Sequence, residues 1–124
     1  MRRKLAIATC REVTYYPGAA PGDSSAHYYL ALCYRKLGQD PRAITEFKEA
    51  IRLNPAHAPS HFEYGRVLYD NGKLGEAKAA LEAAIRIAPN LAGPYYLLGE
   101  VERRSGNVDA ARRLRAKFKE LNKE

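Results

Sequence analysis

The sequence has no tryptophan, a single methionine and only two cysteines. It also lacks any uninterrupted apolar stretch near the roughly 20 residues that a membrane-spanning helix requires, which excludes a span of that kind. The cysteines, Cys10 and Cys33, form neither a CxxC pair nor a metal-ligand spacing. One falls on each of two separate predicted helices, so they read as small buried hydrophobes in a reducing compartment, here taken as the cytoplasm. A disulfide stays open at this level, because its geometry is demanding. Signatures of chemistry are missing as well. There is no GxSxG, Walker A or GxGxxG sequence, and no carboxylate pair stands apart from ordinary helix-face charge. His57 and His61 are four apart, a spacing that serves a metal when both lie on one helix face. Pro59 stands between them at a helix start and no third ligand is near, so they read as structural. The expectation is a protein that is not an enzyme and uses no cofactor or metal.

What is present is an ordinary globular mixture, 46% hydrophobic and 28% charged over 124 residues, enough for one domain with a real core. Net charge is +7, with about +2 in residues 1–23, +2 in 24–57, zero in 58–91 and +3 in 92–124. A basic balance favours acidic partners and says nothing of fold. At the amino terminus, Met1-Arg2-Arg3-Lys4 ahead of Leu5 to Cys10 imitates a lipoprotein signal. Its apolar part is about five residues, short of the roughly 7–15 of a working signal core. Leu5, Ala8, Thr9, Val13 and Tyr16 fit an amphipathic helix better, either a cap or the second half of a preceding unit, and Pro17-Gly18 breaks it early.

One interval organises the chain. Pro21, Pro55 and Pro89 are 34 residues apart, and so are Gly38, Gly72 and Gly106, Ala43, Ala77 and Ala111, and the aromatics Tyr28, Phe62 and Tyr96. Each interval predicts two helices. Leu30, Cys33, Tyr34 and Leu37 recur at helical spacing after an Asp23 or Ser24 cap. Gly38 stops that helix in the left-handed conformation. Asp40-Pro41 then predicts a restart, with the aspartate as N-cap and proline at the first helical position. Ala43, Ile44, Phe47, Ala50 and Ile51 stripe the second helix, and Asn54-Pro55 ends it. The second interval runs through His61 to Tyr69, Asn71-Gly72 and then Leu74, Ala77, Leu81, Ala84, Ile85 and Ile87. The third begins at Tyr95, turns at Ser105-Gly106-Asn107 and continues through Val108, Ala111, Leu114, Phe118 and Leu121.

The period, the small residues Ala31, Gly65 and Gly99, the preceding Leu30, Tyr64 and Leu98, the alanines and the closing prolines resemble the tetratricopeptide (TPR) signature over residues 24–124. The resemblance implies an all-α, right-handed superhelical solenoid of antiparallel helix pairs: an N-terminal helix and loop over 1–23, then units 24–57, 58–91 and 92–124. The small residues would let the paired helices approach closely, so a large side chain at any of them, or at the facing alanines, should cost about 1–3 kcal/mol. His27, His61 and Tyr95 stand where the family often has tryptophan. Arg115 and Lys119 replace the apolar Leu81 and Ile85 of the unit before, as a solvent-facing terminal cap requires.

In the family, the first helix of each unit lines the concave surface that holds a peptide or partner segment. Residue by residue, that assigns Tyr28, Leu32, Arg35 and Lys36 from the first unit. The second contributes Phe62, Arg66, Tyr69 and Asp70, and the third Tyr96, Glu100, Arg103 and Arg104. Aromatics and arginines are enriched in binding hot spots, and the cations suit carboxylates. The expected function is therefore a protein-interaction adaptor or scaffold with an acidic or aromatic partner segment. The alternatives are a self-associating assembly module, giving a homo-oligomer, and, ranked last, nucleic-acid or anionic-surface binding through the Arg112–Lys119 run. The chaperone-binding branch of the family clamps a terminal carboxylate with lysines and asparagines. Tyr28, Leu32 and Glu63 stand at three of those places, which argues against such a tail.

Overall fold

The computed structural model describes residues 23–123. The amphipathic amino-terminal helix, the signal-like segment, Cys10 and Pro17-Gly18 lie outside them. Among the described residues there are six helices and no strands: α1 Ser24–Lys36, α2 Asp40–Leu53, α3 Ala58–Asp70, α4 Leu74–Ile87, α5 Ala92–Arg104 and α6 Val108–Leu121. None is long and apolar enough to cross a membrane. The chain is an all-α helical repeat of the solenoid class.

Local chemistry sets the helix ends. The Asp23 carboxylate accepts the Ser25 amide at 3.3 Å and caps α1. At the far end the Gly38 amide donates to the Arg35 carbonyl at 3.0 Å and the Gln39 amide to the Tyr34 carbonyl at 2.8 Å. The same two bonds recur one interval on, from Gly72 to Tyr69 and Lys73 to Leu68, and again from Gly106 to Arg103 and Asn107 to Glu102. This is the Schellman ending, and Gly38, Gly72 and Gly106 have φ of 74°, 76° and 89°, a region L-residues enter at a cost. One cap differs from expectation. Gln39, not Asp40, is the cap of α2, so Asp40 is the first helical residue and Pro41 follows inside the first turn. There Asp40 acts through its charge on the helix dipole, and the proline still loses no helical bond.

The described residues divide into two compact units between Ala56 and His57. In the first, α1 packs on α2 around Ala31, Ala43, Phe47 and Ala50, all fully buried. Burial of Phe47 alone is worth about 3–5 kcal/mol against alanine. The His27 Nδ1 meets the Glu46 carboxylate at 2.6 Å across the same helix pair. Cys33, half-buried on α1, is disulfide-bonded, not the reduced apolar filler the sequence suggested.

In the second unit α3 packs on α4, α5 on both, and α6 on α5. The core holds Val67, Leu68, Ala77, Leu81, Ala84 and Val101. Gly65 is a true close approach: a Cβ there would stand 2.8 Å from Leu81 Cγ. Gly99 is looser, since a Cβ would meet nothing nearer than 3.6 Å. At Gly65 even a methyl group is crowded, whereas at Gly99 a methyl group fits and only a larger side chain would meet the expected overpacking. Glu102 is buried on α5. It receives Lys78 Nζ at 3.1 Å from α4 and Asn107 Nδ2 at 2.7 Å from the cap of α6, so one carboxylate joins three helices. His57 is the N-cap residue of α3 and lies 2.7 Å through Nδ1 from the Ser60 hydroxyl.

Candidate functional site

In the second unit Phe62, Arg66, Tyr69 and Asp70 of α3 and Gly93, Tyr96 and Leu97 of α5 line one open depression of about 420 Å³ with Phe118 of α6. The helical spacing of 62, 66, 69 and 70 places them on one stripe, and 93, 96 and 97 form the facing stripe. Phe62 has a double role. Its ring tip lies so close to Gly93 that a Cβ there would come within 2.6 Å of Cζ, so the ring is seated on the backbone of the next first helix. Tyr96 is 48% exposed and contacts Phe118, with ring centroids 5.2 Å apart at 54°.

The cations of this face are arranged in two ways. The Arg66 guanidinium stands over the Phe62 ring and that of Arg104 over the Tyr69 ring, each 4.8 Å from the centroid. Arg66 adds a long 3.8 Å ion pair to Glu63 on its own helix. Arg103 is instead bound to Glu100 at 2.8 Å, and the same carboxylate takes Arg115 of α6 at 3.1 Å. The Arg103 bond, and to a lesser degree that of Arg115, holds the Glu100 carboxyl below the usual carboxylate range, while Glu100 raises Arg103. Arg103 lines a separate, smaller recess with Val108, Ala111, Arg112 and Arg115.

Of the residues the sequence assigned to the repeats 58–91 and 92–124, the structure thus brings together Phe62, Arg66, Tyr69, Asp70 and Tyr96, with Arg104 stacked on one of them. It diverts Glu100 and Arg103 into an ion-pair cluster. In the first unit Tyr28 is half-buried, its ring edge-on to Phe47 at 6.3 Å and to Tyr29 at 5.3 Å, so part of it serves the packing of α1 on α2. Leu32 and Arg35 are half-buried on the same helix, and Lys36 is exposed. Gly93, Leu97 and Phe118 were not anticipated as lining. Phe118 did leave a trace, because the preceding units carry the buried Ala50 and Ala84 at its place in the interval.

Comparison with known proteins identifies the repeat. A family model described as "Anaphase-promoting complex, cyclosome, subunit 3" matches residues 5–84, well over half the chain, and one described as "TPR repeat" matches residues 65–106. The chain is a TPR protein. Over residues 5–84 it belongs to the repeat family of the first description. A curated relative, the "Tetratricopeptide repeat and J domain-containing co-chaperone DNJ1" of Cryptococcus neoformans var. grubii, is 26% identical over 66 residues. That match covers 53% of this TPR chain and 13% of the relative. Among solved structures, one described as "Crystal structure of MamA" is similar with a TM-score of 0.84 at 23% identity, over 97% of this chain and 68% of that one. Another, described as "Crystal structure of YrrB: a TPR protein with an unusual peptide-binding site", gives 0.80 at 22% identity, over 97% and 60%. At these identities the structural likeness concerns the fold.

Proposed function

We propose that this TPR chain is a protein-interaction module, an adaptor or scaffold, that holds a partner segment on the exposed edge of its first helices. The observation that carries the reading is the depression between α3 and α5, where Phe62, Tyr69, Tyr96 and Phe118 offer aromatic area beside Arg66 and Asp70. Rigid aromatic side chains supply contact area at low entropic cost, and arginine adds directional donors. Tyr28, Leu32, Arg35 and Lys36 extend the same reading to α1 of the first unit. Arg103 belongs with its Glu100 cluster, so it contributes charge to the surroundings and not a contact.

The test uses Tyr96→Ala and Arg66→Glu. Tyr96 is half exposed, whereas Phe62 is needed to seat α5 through Gly93, so loss of binding in Phe62→Ala would mix two effects. Both chosen variants are expected to keep the helical circular dichroism of the parent and to lose capture of the partner. Retrieval of the same partners by the variants and by the parent refutes the reading.

A further inference from the structure

The cations around the second-unit face are unequal, and the inequality points to a ligand chemistry. Arg103 and Arg115 share the Glu100 carboxylate. Arg104 has no carboxylate partner among the described residues, and the carboxylate contact of Arg66 is the long one to Glu63. Each of these two arginines instead stands over an aromatic ring. A guanidinium lies in one plane with its N–H groups at the rim, so stacking on a ring fixes the group while leaving the donor edge to meet a carboxylate. Beside them, Tyr96, Leu97 and Phe118 form an apolar wall. Asp70 lies in the same lining and repels an acid placed next to it, which directs a carboxylate towards the arginines.

We infer that this face selects a peptide segment in which a carboxylate side chain stands close to an aromatic or branched aliphatic one. The carboxylate meets Arg104 on the Tyr69 ring, Arg66 on the Phe62 ring adds positive charge, and the apolar side chain settles against Tyr96 and Phe118. The inference rests on the interaction-module reading above and adds the chemistry of the partner. A protein segment fits better than a nucleic acid, because two available arginines beside Asp70 do not match a backbone that carries a charge at every residue.

Fluorescence anisotropy of the full chain with three labelled 12-residue probe peptides tests it: Glu and Phe spaced by Gly and Ser, the same with Gln for Glu, and the same with Ser for Phe. The Glu/Phe peptide is expected to bind roughly tenfold tighter than either of the others, about 1.4 kcal/mol. Arg104→Gln should erase the advantage of Glu over Gln, and Arg113→Gln, which lies off this face, should keep it. Equal binding of the Glu and Gln peptides, with both weakened by Tyr96→Ser, overturns the carboxylate selection and leaves the groove standing. If no peptide binds and amide exchange in α3 and α5 is unchanged by any of them, the inference falls, while the module reading stands or falls with the capture test above. Preference for a 12-nucleotide single strand over all three peptides overturns the inference in favour of a phosphate ligand.

Discussion

Single residues carry unequal weight at positions that the repeat makes look alike. Gly65 and Gly99 occupy the same place in successive units, yet only at Gly65 would an added methyl group be crowded by a neighbour. Alanine at Gly65 must push the fully buried Leu81, an overpacking cost of about 1–3 kcal/mol that outweighs the gain of about 1 kcal/mol in helix propensity. Alanine at Gly99 keeps the propensity gain. Urea denaturation should therefore show Gly65→Ala losing stability and Gly99→Ala gaining about 0.5–1 kcal/mol. Glu102 gives a second residue-scale expectation. Burial alone would raise its pKa, but the bonds from Lys78 and Asn107 prevail and the net shift is downward. A depressed native pKa adds stability that is complete above the ordinary glutamate value of about 4.3 and is lost as pH falls through the native value. Glu102→Gln should flatten that part of the acid limb of a stability-against-pH curve, and an unchanged limb would show that the three-helix junction does not depend on the charge.

At the scale of the helix, the ends are set by chemistry within a few residues and the interiors by packing across the pair. The three Schellman endings repeat at 34 residues because the glycine with positive φ repeats at 34. Gly72→Ala is expected to cost about 1 kcal/mol with no clash involved, since nothing lies within 4 Å of the added carbon and only the backbone conformation resists it. The α6 helix is the exception in packing. It has no fully buried residue, its Val108 is 57% exposed, and its link to α5 includes the exposed Arg115 to Glu100 pair. Exposed pairs hold weakly, so hydrogen exchange should be faster in α6 than in α3 or α4. Equal protection in the three helices would contradict this account. The expected apolar stripe of α6 is real at Leu114 and Leu121, both half-buried, but Phe118 turns to Tyr96 and the depression.

For the whole molecule, part of the +7 of net charge is met by acids close at hand. Glu63, Glu100 and Glu102 meet Arg66, Arg103, Arg115 and Lys78, so much of the basic charge near the second unit is answered locally. If two arginines do the electrostatic work, raising salt from 50 to 500 mM should weaken capture of the Glu/Phe peptide by roughly tenfold or less. A steeper fall, of the size produced by many phosphate contacts, would indicate a different surface such as the Arg112–Lys119 run.

The sequence alone determined what depends on neighbours along the chain. A cap at Asp23 or Ser24, the glycine turns, the alternation of helices, the small residues between paired helices and the 34-residue interval follow from bonds and contacts within one unit. The family resemblance pointed to Phe62, Arg66, Tyr69 and Tyr96 as one face, and in the structure all four line one depression. Tertiary structure decided the rest. Only there does Glu100 bind Arg103, Gly93 receive the Phe62 ring, and Phe118, at the interval place of Ala50 and Ala84, stand against Tyr96. Those contacts join residues far apart along the chain or choose between partners of similar chemistry. Local pattern fixes neither of these, and the packed arrangement of the helices does.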